Sequence, residues 1–128
     1  MADPARDTAL SELVARVRGL TGGPVGMTEA REIALFSRER AGLQAFASDY
    51  LRYALEEGDL NAAERFLKVV LPRWRLSLEI WPTAVSAKMA PPLNLKDRDD
   101  LYTPEMHGKG PAHVIVLAVL TALEAAGQ

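Results

Sequence analysis

The side chains in this sequence with chemistry to offer are two histidines, a run of aspartates, five serines and a tryptophan–arginine set. His107 and His113 stand six residues apart across Gly108, Gly110 and Pro111, so they do not share a helix face. A metal site takes three or four ligands, and here only scattered carboxylates supply the rest. Both read as ordinary loop histidines, and no metal is expected. Asp97, Asp99 and Asp100 look at first like a cation loop. The calcium pattern needs glycine at its sixth position and glutamate at its twelfth, where this chain has Tyr102 and Gly108. A solvated loop is the expectation there. Ser11, Ser37, Ser48, Ser77 and Ser86 all lie outside a Gly-x-Ser-x-Gly turn. No catalytic residue is therefore assigned, no cofactor is expected, and the chain reads as a non-enzyme.

Trp74 and Trp81 with Arg65, Lys68, Arg73 and Arg75 are the set that remains. Arginine and lysine beside large aromatic rings suit a polyanion, through phosphate contacts and stacking. Tryptophans on a helical stripe more commonly pack in a core or between subunits. The expectation divides the set accordingly. Arg65, Lys68, Arg73 and Arg75 are assigned to double-stranded DNA. Trp74 and Trp81 join Leu43, Ala47, Tyr50 and Leu67 as the interface of a homo-oligomer.

The elements that position these residues read as helices. A chain of 128 residues fits a single domain, 1–128, and 48% hydrophobic residues with only 6% aromatics imply a core of Leu, Val and Ala. That composition favours helix, and the fold class expected is all-α. A first helix spans 1–18, opened by Asp3-Pro4 and carrying Leu10, Leu13, Val14 and Val17 on one stripe. Residues 19–27, with GLTGGPVG, form a linker. Residues 28–90 form a central antiparallel helical hairpin, whose first arm is one long helix from Thr28 to Glu57 with a weak point at Gly42. Gly58 ends that arm, and Asp59 or Asn61 caps the next. Pro72 kinks the second arm, beyond which Leu71, Trp74, Leu78 and Trp81 recur at helical spacing. Residues 91–110 read as an extended loop anchored by Leu93, Leu95, Leu101 and Tyr102. A C-terminal helix then spans 111–126, its apolar run VIVLAVL buried, with a strand over β-branched Val114, Ile115, Val116 and Val119 as the minor alternative and residues 127–128 frayed.

Net charge is −2, which excludes a strongly basic nucleic-acid coat. The charge is uneven along the chain. Residues 60–90 carry five basic and two acidic side chains, whereas residues 1–59 carry seven and ten. An oligomer repeats that basic region around its axis. The absence of cysteine excludes disulfides and thiolate metal sites. The N-terminus MADPARDTAL has no apolar core of a secretory signal, and no stretch is long enough to span a bilayer. The expectation is a soluble cytoplasmic protein without a membrane partner.

Residues 54–72, ALEEGDLNAAERFLKVVLP, resemble a phrase of phage-encoded small terminase subunits, carried here by Ala54, Leu55, Gly58, Asp59, Ala62, Ala63, Leu67 and Pro72. The resemblance implies a ring-forming, non-enzymatic DNA-packaging factor that presents viral DNA to a large ATPase/nuclease subunit, the large terminase subunit, in the host cell cytoplasm. Met1 to Met27 offers one short helix and a glycine-rich linker where such proteins often carry a helix-turn-helix, so the implied DNA contact is of low sequence specificity. The rival expectation is a small inhibitor or adaptor that docks on one protein partner, such as a phage-encoded anti-defence protein. Its contact surface is the Trp74/Trp81 face or the loop around Asp97 to Asp100.

Overall fold

The computed structural model describes residues 4–20, 25–108 and 110–126. The expected Asp3 cap, the fraying of residues 127–128 and the centre of the glycine-rich linker, residues 21–24, lie outside the described residues. The fold is mixed: five α-helices and a three-stranded antiparallel sheet among the described residues, not the all-α architecture that composition implied. The helices are α1 (Pro4–Arg18), α2 (Met27–Glu39), α3 (Ala45–Glu57), α4 (Leu60–Val70) and α5 (Pro111–Ala126). The strands β1 (Arg75–Ile80), β2 (Val85–Ala90) and β3 (Met106–Gly108) lie in the order β1-β2-β3.

The organising element is α5. Apolar residues surround its axis, and Ala112 through Leu120 are all buried. A helix apolar on every side needs cover on every side. That cover comes from α1, α3 and α4 together with β2 and β3. The sheet therefore exists as one wall of this sheath. Val85, Ala87 and Met89 alternate toward the core at 3%, 1% and 1% exposure, the period of two that a strand provides.

The long helix expected from Thr28 to Glu57 is two helices. Gly42 takes φ 76°, a left-handed conformation open to glycine, and the chain turns there. The Leu43 N–H donates to the Ser37 carbonyl at 2.9 Å, and α3 folds back on α2. Between them Ser37 donates to the Ala34 carbonyl at 2.6 Å, so its contact with Ser48 at 2.8 Å must use the Ser48 proton. Both hydroxyls are buried and satisfied.

The α3–α4 hairpin turns where Gly58 and Asp59 stand. Gly58 has φ 66°, and Asp59 accepts from the Asn61 and Ala62 N–H groups at 2.9 and 3.3 Å. Asp59 is thus the cap, and Asn61 lies inside α4. The kinked helical arm expected beyond Pro72 is not a helix. The chain turns at residues 71–74 and enters β1. The reason is packing: a continued rod would leave the sheet-covered flank of α5 open.

Residues 91–110 hold more structure than a loop. Two 3-10 turns, Leu93–Leu95 and Asp99–Leu101, precede β3. Leu101 is buried at 5%, while Leu93, Leu95 and Tyr102 stand exposed, so of the four expected anchors Leu101 alone reaches the core. Thr103 completes the anchorage. Its hydroxyl accepts from the Met89 N–H at 2.8 Å, and its own N–H donates to the Met89 carbonyl at 3.1 Å. No described helix is long and apolar enough to cross a membrane.

Candidate nucleic-acid and subunit interface

Helix α4 is strongly two-sided. Ala62, Ala63 and Phe66 face the core, and Phe66 is fully buried. Arg65 and Lys68, three residues apart, share the opposite, exposed side. Arg73 follows in the turn after α4 and is also exposed. Among the described residues none of the three has a carboxylate within 4.0 Å. Three unneutralised cations thus stand on one helix and its exit turn.

Arg75 departs from this group. Its Nε and Nη2 both donate to the Pro91 carbonyl at 3.3 Å, which ties the guanidinium across the sheet end. It lies on the outer face of β1 with Ser77 and Glu79. By the strand register that face continues through Ser86 and Lys88 to His107. His107 is exposed, with Glu105 at 3.9 Å.

The residues assigned to an oligomer interface are scattered. Leu43 and Ala47 lie in the core of the single chain, at 8% and 1% exposure, beside a shallow groove that also involves Gly42, Gln44, Val69, Val70 and Leu123. Tyr50, Leu67 and Trp74 are half-buried against the core. Trp81 is different. It stands at the tip of the β1–β2 hairpin, 57% exposed, next to Ile80 at 63%. The two tryptophans therefore do not share a helical face, because neither sits in a helix.

His113 is no loop histidine. It lies in the first turn of α5, buried at 6%, with Nε2 at 2.7 Å from the Val17 carbonyl. The described residues contain no group of three or more His, Cys, Asp or Glu placed to hold a metal ion. The Asp97–Asp100 segment stays in solvent, where Arg98 donates from Nε and Nη2 to the two oxygens of Asp100 at 2.9 and 2.7 Å. That hydrogen-bonded pairing holds the Asp100 carboxyl below the usual carboxylate range and raises the Arg98 guanidinium.

The surface feature missed by the helical reading is β1 itself. It is an edge strand whose apolar side chains Leu76 and Leu78 are only half-buried. The signal was present as the period-two spacing of Leu76, Leu78 and Ile80, overlaid on the helical spacing of Leu71, Trp74, Leu78 and Trp81. Comparison of the chain with family models, curated proteins and solved structures found no match, so its interfaces rest on its own geometry.

Proposed function

We propose that this protein acts by binding rather than catalysis, as an oligomer of its own copies that contacts DNA through α4 and its exit turn. The observation that carries the reading is the exposure of Arg65, Lys68 and Arg73 without a neighbouring carboxylate. Arg75, held by the Pro91 carbonyl, is left out of the contact. Three phosphate contacts release about three counterions, so log affinity falls with log salt at a slope of roughly −3 per copy. Fluorescence anisotropy of a labelled duplex across a salt series tests this. The triple replacement of Arg65, Lys68 and Arg73 by Ala is expected to abolish binding. Absence of binding in the unmodified protein, or a flat salt response, rejects the reading.

The resemblance over residues 54–72 supports a specific form of that role: DNA packaging in a host-cell cytoplasm beside a large ATPase/nuclease subunit. The strands at 75–90 stand where a second helical rod was expected, so the support for packaging is confined to the α3–α4 hairpin and its caps. Reconstitution with a phage large terminase subunit tests it, and DNA contact without complex formation removes packaging while leaving DNA contact intact.

A second reading, a protein-binding adaptor or inhibitor, is favoured by Ile80 and Trp81, 63% and 57% exposed at one hairpin tip. Mass in solution separates the two. A stable monomer of 14.0 kDa supports the adaptor, and an assembly supports the DNA-contacting oligomer.

A further inference from the structure

We infer that two copies of this chain join through β1, strand against strand about a two-fold axis at Ser77, to make one continuous six-stranded sheet. The inference deepens the oligomeric reading above and does not depend on DNA.

The first support is the free edge. Among the described residues β1 pairs with β2 on one side alone. The Trp81 N–H donates to the Ala84 carbonyl at 2.8 Å, directing Trp81 toward β2. Antiparallel pairing alternates, so Glu79, Ser77 and Arg75 also bond toward β2. Leu76, Leu78 and Ile80 consequently turn their N–H and C=O groups outward. The centre strand agrees with this phase, since Met89, opposite Leu76, directs its main chain to Thr103 on the other side. Protected edges carry charged side chains, a proline, an inward charge, a bulge or a covering element. Among the described residues β1 has six regularly paired residues and only the first of these, the outer-face pair Arg75 and Glu79, whose opposite signs a second copy can match.

The second support is self-complementarity. A two-fold pairing keeps each face of the sheet continuous only if paired residues have the same parity. With Ser77 opposite itself, Leu76 meets Leu78 of the second copy, and Arg75 comes opposite its Glu79, the guanidinium exchanging the Pro91 carbonyl for that carboxylate. The outward groups of Leu76 and Leu78 then form the hydrogen-bonded pairs. Every charge on the strand faces its opposite. Beyond the strand ends the same register brings Trp74, just before β1, toward Ile80, and Arg73 of the preceding turn toward Trp81, a cation near a ring. Thus Ile80 and Trp81, 63% and 57% exposed in one chain, both gain cover. A register moved by two residues loses this match. In one direction Glu79 falls opposite Ser77 and Arg75 opposite Trp81; in the other Arg75 faces Ser77 and Ile80 runs onto Pro72.

The chain contains no cysteine, so single thiols can report the geometry. Ser77→Cys places two sulfurs at a non-hydrogen-bonded pair, with Cα atoms about 4.5 Å apart, inside the window for a disulfide. Ile80→Cys places them about 20 Å apart, from six positions at about 3.4 Å each. The expected result under mild oxidation is a covalent dimer from Ser77→Cys formed at least tenfold faster than from Ile80→Cys. Sedimentation of the unmodified protein is expected to give twice 14.0 kDa. Arg75→Glu and Glu79→Arg are each expected to weaken self-association about tenfold, and an equimolar mixture of the two variants to restore it as a heterodimer. Equal cross-linking rates, or a monomer in sedimentation at tens of micromolar, overturn the proposal. So does a mixture that associates no better than its parts. A dimer that fails to bind duplex defeats the DNA reading alone, whereas duplex binding by a monomer defeats this pairing and the oligomeric part of the reading above and leaves the DNA contact standing.

Discussion

His113 Nε2 lies 2.7 Å from the main-chain oxygen of Val17, joining the first and last helices across 96 residues of sequence. A ring nitrogen facing a carbonyl must carry the proton, so Nε2–H donates and Nδ1 is left buried without a partner. The bond holds the end of α1 against the start of α5, the helix that the whole core surrounds.

Replacing His113 with Phe keeps a ring of similar volume and removes this tie. The Val17 oxygen still accepts from the Leu20 N–H at 3.2 Å, so it is not orphaned. The loss should therefore sit near 1 kcal/mol rather than about 3 kcal/mol. Urea unfolding checks it, and a change of under a few tenths would show that the bond adds nothing.

Gly108 of β3 is small because α5 lies directly on it. A Cβ there would stand 2.7 Å from Val114 Cγ2. Gly108→Ala is expected to cost about 1–3 kcal/mol through overpacking. Combining it with Val114→Ala should cost less than the sum of the single changes, since the second deletes the clashing methyl. Strict additivity in thermal unfolding would show that the two sites are uncoupled.

Gly58 and Asp59 stop one helix and start the next. Gly58→Ala forces a side chain into the left-handed region, at about 1 kcal/mol or more, while Gly58→Asn should cost less. Asp59→Ala removes the acceptor of two N–H groups, at about 1 kcal/mol. Both losses should appear as faster amide exchange in α3 and α4; exchange unchanged in both helices would contradict the assignment.

Arg98 and Asp100 meet in full solvent, so their pairing governs titration rather than stability. The hydrogen bond from Arg98 lowers the Asp100 carboxyl, so whatever it contributes is present above the ordinary carboxylate range and lost as pH falls through the lowered midpoint. Arg98→Ala is expected to raise that midpoint toward the ordinary value in an NMR titration. Asp100→Asn should leave the melting temperature unchanged, and a clear drop would show that the pair bears on folding.

Several parts of this molecule follow from sequence alone. Gly58-Asp59 dictates a helix stop and a cap because only certain backbone and side-chain types satisfy those ends, whereas Gly42 showed only as a weak point in one long helix, and the folded chain made it a break. The VIVLAVL run demands burial on all sides wherever it lies. Tertiary structure decided residues 71–90. There Leu71, Trp74, Leu78 and Trp81 satisfy a period near 3.6, while Leu76, Leu78 and Ile80 satisfy a period of two, and a stretch so short cannot choose between them. The neighbour chose: α5 needed a flat apolar wall, and Val85, Ala87 and Met89 supply one only when extended. The candidate site divides the same way. The excess of cations near α4 was legible as charge, but the capture of Arg75 by Pro91 and the exposed edge of β1 arise from pairing between distant segments. A local pattern tells which residues seek cover, and the folded chain alone determines what covers them.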